Sequence, residues 1–258
     1  MKKYILYNSD SNGDYEDAAN VLYVVYEDAT LVNLENIDNY TEFFEKLSVD
    51  DEVILCGNDN ILSQFVNQIQ GIPIKNTLYF YSVGRNNDFV RNLGFEPEDE
   101  PVFPINVAVQ NLPSIQFENS EKIFVSNVFA MLEATKSFVK NERHDLRLKV
   151  DNISYEYKNV CAVLILSGQF FHSEKMVSIE KSSQQDQFVF VIIFQKIGKR
   201  KMEKLQKDII SGHTIRFNKK NTVTLHGKQL SIHSQIPTSL FVDGNKTSES
   251  CKFLVNCI

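Results

Sequence analysis

Val53-Ile54-Leu55-Cys56-Gly57-Asn58-Asp59-Asn60-Ile61 is an apolar strand that ends in a glycine and three polar residues. It runs directly into a segment of helical spacing, Ile61, Leu62, Phe65, Val66 and Ile69. A strand-to-helix turn of this kind aims backbone amides and the positive end of a helix at whatever lies above the sheet, commonly a phosphate. Glycines normally line such a turn because they let phosphate oxygens approach the backbone. Here asparagines stand at 58 and 60. The position is that of a phosphate loop, and its lining is side chains.

On either side of this stretch, apolar runs at Tyr4–Tyr7, Thr30–Val32 and Thr77–Val83 read as further strands, while Ile37, Tyr40, Phe43, Phe44 and Leu47 recur at helical spacing. Strands alternating with helices predict a Rossmann-like parallel sheet, an α/β domain over residues 1–101. Around Gly94-Phe95-Glu96-Pro97-Glu98-Asp99-Glu100-Pro101 the pattern breaks into an acidic segment punctuated by proline, and the boundary is set there. Over residues 102–258 strands dominate, at Ser114–Glu118, Lys122–Asn127, Leu146–Val150, Ser154–Tyr157, Val160–Leu166, Phe188–Phe194, Thr222–Leu225, Leu230–His233, Leu240–Val242 and Phe253–Val255. Turn signals at Asn119-Ser120, Asp151-Asn152, Gly227-Lys228 and Asp243-Gly244-Asn245 separate them, which predicts an antiparallel β-sandwich or barrel. One amphipathic helix interrupts it. Met202, Leu205, Ile209 and Ile210 share a face, and Lys199, Arg200, Lys201, Lys204 and Lys207 cover the rest.

Composition narrows the function classes. A chain of 258 residues with 43% hydrophobic and 23% charged residues buries a real core. A formal charge of −6 argues against broad nucleic-acid binding. Cys56, Cys161, Cys251 and Cys257 form no CxxC pair, so zinc is disfavoured; Cys56 and Cys161 lie in apolar runs and read as buried thiols of a cytoplasmic protein. Neither His226 and His233 nor the other histidines, His144, His172 and His213, show metal-ligand spacing. No signal-peptide pattern follows Met1-Lys2-Lys3, and no apolar run approaches the length of a membrane span. The expectation is a soluble chain, at most peripheral to a membrane through the basic helix, whose cations suit either anionic headgroups or water.

In this order and spacing, the turns resemble the diacylglycerol kinase catalytic-domain family, particularly its soluble bacterial lipid kinases. Gly57-Asn58-Asp59-Asn60-Ile61 is similar to that family's GGDGT, and Gly84-Arg85-Asn86-Asn87-Asp88-Phe89 to its GTGNDF. Tyr7-Asn8 followed by Gly13 resembles its N-terminal Asn-Pro…Gly turn. Phe124–Ala134 resembles its FxNxxxxGxDA strand, Asp186-Gln187 an Asp-Gly, Ser211-Gly212-His213 a Gly-Lys-His, and Val242-Asp243-Gly244-Asn245 the terminal DGE.

The resemblance implies ATP and Mg²⁺ bound over the two glycine turns, with Asn8, Gly57, Asn58, Asp59, Asn60, Gly84, Arg85, Asn87 and Asp88 as nucleotide-binding positions and Asp186 as a metal position. It also implies a lipid hydroxyl as acceptor and the DGE glutamate as general base. At that last position stands Asn245, an amide that cannot take the substrate proton, and a placed base is worth about 10²–10⁴ in rate. Asn58 and Asn60 replace glycines, although asparagine tolerates positive φ and so preserves the backbone shape of such a turn. Ile61 removes a threonine hydroxyl, Arg85 and Asn86 replace threonine and glycine, Met131 replaces an inner-strand glycine, and His172-Ser173-Glu174-Lys175 replaces a glycine run before Met176. Asp59 and Asp88 also read as ordinary helix caps. The expectation is a pseudokinase that retains binding of a lipid, nucleotide or protein partner. The alternative is a divergent active ATP-dependent lipid kinase whose base is Asp88 or Glu249. A third reading is an interaction module that binds neither ligand.

Overall fold

The computed structural model describes residues 1–9, 14–84, 88–95, 102–131, 144–172, 174–177, 188–210 and 219–257. They form two compact units, Met1–Asn111 and Leu112–Ile258.

The first unit is an open sheet built from β1 (Lys3–Tyr7), β2 (Thr30–Asn33), β3 (Glu52–Gly57), β4 (Thr77–Ser82) and β5 (Val102–Pro104), in the order β2-β1-β3-β4-β5. The first four are parallel, and β5 adds antiparallel to β4. Central β3 is buried on both faces, which is why its sequence reads as an unbroken apolar run rather than an alternation. Helix α1 (Asp14–Val25) presses Ala19 and Leu22 against Ile5, Ile54 and Cys56, and α3 (Asp59–Gln68) buries Ile61, Leu62, Phe65 and Val66. Between them lies α2 (Tyr40–Glu45), and the short α4 (Asp88–Asn92) and α5 (Asn106–Gln110) follow β4 and β5. The unit extends ten residues past the boundary expected at 101. Val102–Pro104 pairs with β4, and Asn106 Oδ1 accepts from the Leu78 N–H at 2.8 Å, so sheet pairing rather than the acidic segment determines where the unit ends.

The second unit is a nine-stranded antiparallel sheet. Its strands are β6 (Ser114–Phe117), β7 (Ser120–Ile123), β8 (Asn127–Met131), β9 (His144–Val150), β10 (Ile153–Leu166), β13 (Val189–Gln195), β14 (Thr222–Gly227), β15 (Gln229–Val242) and β16 (Asn245–Asn256). A small hairpin, β11 (Phe170–Phe171) with β12 (Glu174–Lys175), stands apart, and α6 spans Lys199–Ile210. Strands β8 and β9 share one row between the long β10 and β15. Met131 pairs with Ala162 and Ser239, and His144 pairs with Val160, so β9 takes up the row two positions further along β10 than the end of β8. One face of the sheet encloses a core that includes Phe124, Val128, Leu146, Ile165, Val191, Ile232 and Phe253. On the other face, Met202, Leu205 and Ile209 of α6 cover Phe129, Met131, Leu164, Phe190, Ile192 and Phe194. The antiparallel β-domain expected from the turn pattern is therefore present, with its strands hydrogen-bonded through a single sheet.

Candidate functional site

In the first unit the chain turns outward from β1 to β2 on one side and from β3 to β4 on the other. The carboxyl ends of β1 and β3 thus form the switch point at which open α/β sheets bind ligands. Asn8 follows β1 there, beside Gly57 and Asn58 at the end of β3, as their common place in the sequence motifs implies.

The turn after β3 is closed by its own side chains. Asn58 lies at φ −100° and ψ −177°, ordinary extended backbone, and its Oδ1 accepts from the N–H groups of Asn60 and Ile61 at 3.0 and 3.1 Å. It is the N-cap of α3. The positive-φ role expected of Asn58 and Asn60 is not the one they play, because a capping residue adopts extended backbone to bring its side-chain oxygen over the first free amides. Gly57 is required for packing. A Cβ there would lie 2.7 Å from Ile61 Cβ and Cγ2, so the space that glycine opens is filled by the isoleucine.

Asp59 is one residue too late to cap its own helix. It is 5% exposed, and its Oδ2 accepts from the Phe89 N–H at 3.1 Å, tying α3 to the start of α4. Asp88, the first residue of α4, is 1% exposed. Gly84 keeps a left-handed φ of +90° with nothing among the described residues within 4 Å of an added Cβ. Arg85, Asn86 and Asn87 lie outside the described residues, as do Gly13, Asp186, Ser173, Ala134, the Ser211-Gly212-His213 motif and the Lys199 side chain. Among the described residues no group of three or more His, Cys, Asp or Glu side chains is placed to hold a metal ion.

In the second unit the terminal Asp-Gly turn is anchored by its aspartate. Asp243, at φ +46° and buried, accepts from three consecutive backbone amides: Val125 to Oδ2, and Ser126 and Asn127 to Oδ1, each at 2.8 Å. Successive amides converging on one anion form a nest, and here the anion belongs to the chain. Sequence reasoning assigned Asp243 no role, although an Asp-Gly pair between two strands was the available signal. Asn245, at the general-base position, is exposed and begins β16. Glu249 accepts from Ser239 Oγ at 2.9 Å and borders an open groove of about 630 Å³ whose lining includes Glu118, Pro237, Cys251 and Lys252. Met131 is buried beneath α6. His226 pairs with Phe190 and packs against the Phe188 and Phe190 rings, whereas His233 pairs with Arg147 and Lys252, so the two histidines have different neighbours.

No family model matches this sequence, and no curated protein matches it. Solved structures do. The crystal structure of a diacylglycerol kinase from Bacillus anthracis str. Sterne aligns with 100% of this chain and 94% of its own, at TM-score 0.59 and 16% identity. A protein provisionally named a diacylglycerol kinase, from the same organism, aligns with 99% of this chain and 94% of its own, at TM-score 0.61 and 14% identity. The fold is that of the diacylglycerol kinases.

Within the diacylglycerol kinase fold, the first turn spends its leading amides on its own side chain. The N–H groups of Asn60 and Ile61 donate to Asn58 Oδ1, so any further acceptor at either amide competes with that oxygen. Cys56, which precedes Gly57 on β3 and packs toward α1, is fully buried with its thiol pushed up to about 12 by desolvation, which leaves it inert at neutral pH.

Proposed function

We propose that this chain is a pseudokinase of the lipid-kinase type, with phosphotransfer absent or very weak and with binding of a ligand or partner as its remaining role. The observation that carries the reading is the Asn58 cap, which takes up the two amides on which a nucleotide phosphate would rest. Charge supports it further. Residues Met1–Asn111 hold six basic against nineteen acidic side chains, a net of −13, and such a surface repels a polyphosphate. Asn245 in place of a carboxylate removes the base that the resemblance assigns to the reaction.

The test is a thermal-shift titration with ATP–Mg²⁺ beside a turnover assay with short-chain diacylglycerol. The expected outcome is no stabilisation and no phosphatidate for the wild type, with nucleotide stabilisation gained in the Asn58→Gly, Asn60→Gly double variant. Phosphatidate formation by the wild type would refute the proposal.

Gly84 favours a second reading, a divergent ATP-dependent lipid kinase, because it keeps the left-handed backbone that glycines of a phosphate turn adopt. Under that reading Asp59→Asn, which keeps an acceptor for the Phe89 N–H, abolishes a measurable activity. Equal transfer by wild type and variant rejects it.

A further inference from the structure

The deficit of the first unit has a counterpart. Leu112–Ile258 carries 21 basic against 14 acidic residues, a net of +7 within a chain of −6. Part of that excess is gathered on one outward face. Helix α6 spends its apolar side on the sheet, with Met202, Leu205 and Ile209 buried, and leaves Arg200, Lys201, Lys204 and Lys207 exposed. Sheet geometry adds to the helix. The Lys196 N–H donates to Asn159 O at 3.2 Å and Gln195 Nε2 donates to Lys158 O at 2.8 Å, which sets exposed Lys158 and Lys196 side by side just before α6 begins. None of these six cations forms an ion pair among the described residues, and Glu203 and Asp208 are the acidic residues of the helix.

We infer that this face docks the second unit on a membrane surface bearing anionic lipid headgroups. Five of the six cations are lysines, strongly hydrated point charges on flexible stems, which suit a fluid array of headgroups better than the fixed fork of arginine does. No aromatic side chain is available on α6 to stack a base, which disfavours a nucleic acid. Because the apolar side of α6 is already consumed by the sheet, the contact is electrostatic and does not insert, so it weakens steeply with salt. The inference goes beyond the pseudokinase reading and stands whether or not phosphate is transferred.

The test is sedimentation of the full chain, without nucleotide, with phosphatidylcholine vesicles and with vesicles also containing phosphatidylglycerol. Binding is expected only to the anionic vesicles and is lost on raising the salt concentration. At roughly one lipid-surface contribution per lysine, the variant Lys201→Gln, Lys204→Gln, Lys207→Gln binds on the order of a hundredfold more weakly. Its unfolding curve stays that of the wild type, because all three side chains are exposed. A second variant, Lys149→Gln, Lys246→Gln, Lys252→Gln, removes equal charge from exposed positions elsewhere in the unit and keeps wild-type binding. Equal losses in both variants, equal sedimentation with phosphatidylcholine alone, or tighter binding to a single-stranded oligonucleotide than to the anionic vesicles would overturn the inference.

Discussion

At the scale of single residues, short polar side chains hold backbone amides in both units. Asp243 is the most heavily used, with three buried N–H groups on one carboxylate. Each amide left without an acceptor costs about 1–3 kcal/mol, so Asp243→Ala is expected to destabilise the second unit by about 3 kcal/mol or more, with Asp243→Asn intermediate because one oxygen remains. Urea unfolding of the two variants measures this. Asp51 performs a similar service in the first unit, accepting from the Lys2 N–H at 2.7 Å and the Ser48 N–H at 2.9 Å. The Lys2 amide is the main cause that holds the Asp51 carboxyl below its ordinary value, against a smaller opposing effect of burial. A folded-state value below the unfolded one means that the stabilisation is complete above the ordinary value and fades as pH falls through the lowered one. Stability should therefore decline with acidification below about pH 4, and Asp51→Asn should flatten that decline in acid titrations followed by circular dichroism. What the sequence revealed at this scale was residue type rather than role. Asn58 reads in sequence as a turn residue tolerant of positive φ and Asp59 as the helix cap, but capping falls to Asn58 and reaching Phe89 to Asp59, duties that differ by one position in the chain and that only backbone φ and ψ separate.

At the scale of elements, the turn between β3 and α3 is a packing joint. Ile61 enters the first turn of α3 and lies over the Cα of Gly57. Gly57→Ala places a methyl 2.7 Å from Ile61 and is expected to cost about 1–3 kcal/mol, the usual penalty for overpacking. With Ile61→Ala added, the double variant should cost less than the sum of the singles, and the size of that shortfall in a mutant cycle measures the contact. Elements of this kind were legible where periodicity was unbroken. The four parallel strands and the helix over 199–210 were found within two residues of their observed limits. Long bent strands were not. Ser154–Tyr157 and Val160–Leu166 read as two strands because the pairing register shifts between 157 and 160, yet they are the single β10. Leu230–His233 and Leu240–Val242 likewise belong to β15, whose register shifts between 233 and 238. Alternation breaks at such irregularities while the strand continues, so a pattern read from sequence ends too early. The apolar pattern does not disclose helix α1, because its inward face rests on Ala19 and Leu22, while Val21, Tyr23, Val24 and Val25 are exposed.

For the whole molecule, the two units differ in charge as well as in architecture, and a single net charge of −6 conceals values of −13 and +7. The sequence contained that partition, but it becomes visible only after the sheets define where one unit stops. Thiol chemistry offers a probe that samples both units in one experiment. Cys56 and Cys161 are buried, and Cys257 is pushed up to about 11, mainly by desolvation, while Cys251 is half-buried beside the open groove. Under native conditions alkylation read by mass spectrometry should modify Cys251 first and leave Cys56 and Cys161 protected until unfolding; early labelling of Cys56 would contradict the packing of the first sheet.

The shared row of β8 and β9 has an engineering consequence. Met131 and His144 sit two rungs apart on the same neighbour, so the number of residues joining them is independent of how the flanking strands align. Cleaving the backbone between Met131 and His144 would leave β8 and β9 each hydrogen-bonded to both β10 and β15, so the two fragments of this unit should stay associated until the sheet itself unfolds.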